Sequence, residues 1–64
     1  MKVKSKTIRH KMIDMDLNGV QLSKLSGVSR VRLSYILNGK DTTYETACKI
    51  AKAIDMDVFE IIEK

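Results

Sequence analysis

Arg30, Val31, Arg32 and Tyr35 are the side chains of this 64-residue sequence whose types and spacing suit recognition of a polyanion. A guanidinium is a permanent cation with paired, coplanar donors, and a phenol both donates and accepts. Valine between them offers only an apolar face. Set near the start of one helix and facing outward, these groups form the kind of surface that enters a DNA major groove. The elements that position them lie within residues 21–39. This stretch reads as the end of one short helix, a tight turn, and a second helix stopping at a glycine. Gly27 sits at the turn, where only glycine takes positive φ without steric cost. Ser23 is small where a second helix must pass close, and Leu22, Val28, Leu33 and Ile36 supply apolar contacts for a steep crossing.

Sixty-four residues make one domain at the small end of what folds alone. Such a chain buries only about 60% of its unfolded surface, so every apolar stripe is needed. At 44% hydrophobic and 31% charged residues, the composition fits a soluble globular chain and not a disordered one. With three aromatic residues the core must be aliphatic, and the lack of proline favours helices joined by short turns. The formal charge of +4 is unevenly spread. Residues 1–40 hold nine Lys/Arg against Asp14 and Asp16, a balance of +7, whereas residues 41–64 carry −3. The positive part coincides with the helix pair, and a polyanion partner follows.

Cys48 is the only cysteine and His10 the only histidine, so neither a disulfide, a zinc site nor a nucleophile–base pair is expected. No enzyme constellation, cofactor, metal or small-molecule ligand is indicated. Cys48 reads as a small core residue, His10 as a surface side chain, and Met12, Met15 and Met56 as gap-fillers. No apolar run reaches signal-peptide or membrane-spanning length, so a cytoplasmic protein without membrane contact is expected.

Five helices are predicted. The first spans about residues 5–15, with Ile8, Met12 and Met15 inward and a basic outer face, preceded by a flexible basic arm of residues 1–4. Asn18 with Gln21 forms a capping box for the second helix, which ends near Ser26, and Ser29 caps the third, which closes at Asn38-Gly39. Thr42 with Glu45 opens the fourth, whose stripe is Tyr44, Ala47, Ala51 and Ile54; Asp57 with Glu60 opens a fifth running to about residue 63. Val58, Phe59, Ile61 and Ile62 put four large apolar groups into one turn, more than so small a domain can bury, and suggest a dimer interface.

Leu17-Asn18, Leu22-Ser23, Gly27-Val28-Ser29-Arg30, Leu33-Ser34, Ile36, Asn38-Gly39-Lys40, Glu45-Thr46 and Lys49-Ile50-Ala51-Lys52-Ala53-Ile54 occur in that order. As an ordered set the sequence resembles the Cro/lambda-repressor-type (Xre-like) helix-turn-helix family over essentially its whole length. The resemblance implies an all-α, compact five-helix lambda-repressor-like domain, with the helix-turn-helix formed by helices 2 and 3. It further implies a sequence-specific transcriptional regulator of Cro or repressor type, binding double-stranded DNA as a weak homodimer or a dimer formed on a palindromic operator. Carried over by position, Arg30, Val31 and Tyr35 match base-reading positions, and Ser29 touches base or phosphate. Asn18, Arg32, Asn38 and Lys40 match phosphate positions, and Lys2, Lys4 and Lys6 are possible arm contacts. The chemistry is compatible: Arg30 suits guanine O6 and N7, and Val31 suits a thymine methyl.

Three features depart from the family pattern. Gly19 stands where a DNA-contacting glutamine is common, so that contact is missing. Leu37 and Met12 replace an acid and its arginine partner, exchanging an ion pair for apolar packing. The segment Lys40-Asp41-Thr42-Thr43 is one residue shorter than the common form and lacks its proline. An alternative on the same fold is a protein-interaction module, antirepressor- or antitoxin-like, that uses the apolar C-terminal helix.

Overall fold

The computed structural model describes residues 1–63. Five helices follow one another: α1 (Ser5–Asp14), α2 (Gly19–Ser26), α3 (Arg30–Leu37), α4 (Tyr44–Ala53) and α5 (Val58–Ile61). Local chemistry accounts for most boundaries. The Asn18 side chain accepts the Gln21 N–H at 2.8 Å, and the Gln21 side chain accepts the Asn18 N–H at 2.8 Å, closing the capping box of α2. At the start of α5 the Asp57 side chain accepts the Phe59 N–H at 2.9 Å, and the Glu60 side chain accepts the Asp57 N–H at 3.3 Å.

Three helices stop in one way. After α1, α3 and α4 the next-but-one residue is left-handed (Asp16 at φ 56, Gly39 at φ 100, Asp55 at φ 57). In each case the following amide reaches back to the helix: Leu17 N–H to the Met12 carbonyl, Lys40 to Tyr35, and Met56 to Ala51, at 2.8–3.0 Å. These are Schellman closures. A glycine supplies the left-handed residue once and an aspartate twice.

Ile8, Leu22, Ile50, Ile54 and Ile61 form the fully buried centre, with Val28, Leu33, Ile36, Ala47 and Ala51 around them. Helix α4 is the hub and packs against α2 and α5, while α2 packs against α3. Met12, Leu37 and Met56 are half-buried against this cluster, so the positions of the exchanged ion pair do pack on the core. No buried side-chain polar atom among the described residues lacks a hydrogen-bond partner.

Five expectations need correction. The N-terminal segment is docked: Val3 is 3% exposed and pairs in antiparallel register with Ile62. The Lys4 N–H donates to the Ile61 carbonyl at 2.6 Å, and the Glu63 N–H donates to Lys2 at 2.8 Å. The buried Val3 side chain and these backbone bonds together fix the lysine-rich tetrapeptide. Thr43, not Thr42, caps α4, its hydroxyl accepting the Thr46 N–H at 3.2 Å, while the Thr42 N–H donates to the Met1 carbonyl at 2.6 Å. Tyr44 lies outside the α4 stripe at 48% exposed, and Met15 is also exposed, because α1 ends before it. Cys48 is only half-buried.

Candidate nucleic-acid interface

The turn between α2 and α3 is built from small groups. Gly27 adopts φ 75 and ψ 11 and its N–H closes α2 on the Ser23 carbonyl. The Ser23 hydroxyl donates to the Val28 carbonyl at 2.6 Å, and the Ser26 hydroxyl accepts the Val28 N–H at 3.2 Å. Val28 is thereby held in the core with its polar backbone satisfied, which orients the chain entering α3.

Leu33 and Ile36 anchor α3 in the core and fix its rotation. Arg30, Val31, Arg32 and Tyr35 are consequently exposed, Val31 at 64% and Tyr35 at 58%. Large apolar and amphipathic side chains lie on this face beside cations, with nothing of the chain covering them. Ser29 is exposed too, but its hydroxyl accepts the Arg32 N–H at 3.2 Å and serves as the cap of α3. A base or phosphate contact by Ser29 would have to share that oxygen.

The expected phosphate set surrounds this helix. Arg32 and Lys40 line one open cleft together with Tyr35, Asp41 and Thr43. Asn18 uses its carbonyl oxygen in the α2 cap, which leaves its amide donors outside that cap. Asn38 is exposed at the end of α3, its amide 3.5 Å from the Ser34 hydroxyl. Docking of the N-terminal segment puts Lys2, Lys4 and Lys6 on one cleft with Asn38 and Gly39. These lysines therefore sit beside the end of α3 on a fixed backbone. Arg9 belongs to the basic run of residues 1–11, whose side chains could grip phosphates; its guanidinium donates to the Leu37 carbonyl at 3.4 Å, bringing the basic face of α1 to α3. The signal available was the basic run along α1; what it lacked was which residue of the run faces α3.

The candidate dimer residues do not stay together. Ile61 is fully buried in the core and is removed from any interface. Val58 and Ile62 are half-buried, and Phe59 is 66% exposed. The Phe59 ring lies 6.3 Å from the Tyr44 ring at an angle of 47°. Hydrogen bonding with the Cys48 side chain, foremost, raises the Tyr44 phenol above its ordinary pKa of 10.0. Phe59 thus forms an exposed pair with Tyr44, joining α4 and α5, that a one-turn reading of residues 58–62 misses.

Among the described residues no group of three or more His, Cys, Asp or Glu is arranged to hold a metal ion, and no helix is long and apolar enough to cross a membrane. A family model described as Helix-turn-helix matches residues 8–61. No curated protein and no solved structure matches the chain.

Proposed function

Since the chain belongs to the Cro/C1-type helix-turn-helix family, whose members are DNA-binding regulators, we propose that it is a sequence-specific transcriptional regulator docking α3 in the major groove of an operator. Occupying the operator excludes polymerase. The observation that carries this reading is the split of α3: Leu33 and Ile36 are locked in the core while Arg30, Val31, Arg32 and Tyr35 are free on the outer face. Arg30 reads guanine through O6 and N7, Val31 meets a thymine methyl, and Tyr35 reaches a base or a phosphate one turn on. Asn18, Arg32, Asn38 and Lys40, with Lys2, Lys4 and Lys6 at the edge, hold the backbone and fix the register. Two copies related by a dyad, meeting through Phe59 and the half-buried Val58 and Ile62, place two α3 helices about 34 Å apart on a palindrome.

The test is selection from a random duplex pool, then titration of the winner against scrambled DNA at two salt concentrations. A palindromic winner bound at least ~10³-fold more tightly than scrambled DNA is the expected result. Equal binding of all sequences, vanishing with salt, overturns it. The exposed Tyr44–Phe59 pair supports a second reading, a protein-interaction module on the same fold. Sequence-indifferent DNA binding together with a stable hetero-complex that Phe59→Ala abolishes would establish that reading instead.

A further inference from the structure

Two arginines from different helices line one small cleft that contains no acid. The cleft, about 220 Å³, is bordered by Arg9 of α1, Gly19 of α2, and Arg30 and Ser34 of α3, over an apolar floor that includes Leu22 and Leu37. Neither arginine has a carboxylate partner among the described residues. Arg9 spends one of its five N–H donors on the Leu37 carbonyl, at a distance of 3.4 Å near the limit for a hydrogen bond. Two permanent cations beside one cleft repel each other until an anion sits between them. Access is open, because a Cβ at Gly19 would meet no atom within 4 Å.

We propose that Arg9 is a DNA-contacting residue, binding a backbone phosphate of the same duplex that Arg30 reads, through the cleft that Gly19 leaves open. The inference rests on the proposed DNA-binding role and names a contact within it. Phosphate is the target because of where Arg9 is held. Its tether is the carbonyl at the end of α3, and the outward residues Val31 and Tyr35 do not border this cleft. The guanidinium fork matches two phosphate oxygens.

The experiment measures duplex affinity across 50–200 mM salt for the wild-type chain, Arg9→Ala, Arg9→Lys and Arg30→Ala, on selected and on scrambled DNA. Loss of one phosphate contact lowers the salt slope by about 0.9, so the affinity gap between wild type and Arg9→Ala narrows about 3.5-fold over that range. The change is expected on both duplexes alike, with Arg9→Lys retaining most of the slope. A structural role in closing α3 would lower the thermal midpoint and leave the slope unchanged, which overturns the proposal. So does a loss confined to one base position. Failure of the broader reading looks different: Arg30→Ala would not affect sequence preference, or wild type would show none, while the slope on scrambled DNA still reports on Arg9. If the wild-type chain binds no duplex at 50 mM salt, both fall.

Discussion

Replacing Val3 by alanine asks whether the N-terminal segment is part of the fold. Val3 is 3% exposed and faces Ile62 across an antiparallel bridge. The substitution removes two methyl groups, about 1.6 kcal/mol of transfer free energy at about 0.8 per carbon. The cavity left behind raises the loss to about 2 kcal/mol. A domain of 64 residues has a total stability of about 3–10 kcal/mol, so this is a large fraction. With a urea m-value of about 1 kcal/mol/M, the unfolding midpoint falls by about 2 M at unchanged m. Lys2→Ala and Lys4→Ala, at exposed positions on either side, are the controls and shift stability by no more than about 0.5 kcal/mol. A Val3→Ala midpoint indistinguishable from those controls would refute the docking of this segment in solution.

Arg30→Ala should cost about 1–3 kcal/mol of discrimination at one base position, read by titrating duplexes carrying each of the four bases there; unchanged preference at every position contradicts the base-reading role. Asp16→Gly and Asp55→Gly each relieve a left-handed non-glycine residue and should stabilise by about 0.5–1 kcal/mol, seen as a raised thermal midpoint; a lowered midpoint shows that the aspartates contribute more than their backbone strain costs. Ile61→Ala should destabilise by about 2–5 kcal/mol, whereas Phe59→Ala should cost little stability and weaken self-association in sedimentation equilibrium. Equal destabilisation by the two would contradict their difference in burial.

What could be read from sequence was what neighbouring residues decide among themselves. The Asn18–Gln21 and Asp57–Glu60 boxes span three residues each, and both formed as expected. Gly27 and Gly39 marked left-handed positions because their conformations are set by the turns on either side. Leu22, Val28, Leu33 and Ile36 carried the periodicity that puts them in the core. The misreadings at the N-terminal segment and at Ile61 depend on partners far along the chain. Val3 looked like an arm residue because its partner is Ile62, and Ile61 looked exposed although the packing of α5 on α4 buries it in the core. Thr42 was read as the cap of α4 from its spacing to Glu45, whereas α4 starts one residue later and Thr43 caps it. For the candidate site, the face of α3 was legible from Leu33 and Ile36, but the approach of Arg9 to Leu37 joins residues 28 positions apart.

The backbone bonds that tie residues 1–4 to residues 61–63 and to Thr42 give the two chain ends one shared opening reaction. Opening the bridge between Val3 and Ile62 breaks both bonds, so the amides of Lys4 and Glu63 should exchange with solvent hydrogen at one common free energy. Thr42 belongs to the loop that, with Arg32 and Lys40, borders a cleft of the candidate interface. Order at the termini and order at that loop are therefore thermodynamically linked. A duplex that steadies the loop must slow exchange at both ends of the chain, and loosening the ends must weaken the duplex by the same factor.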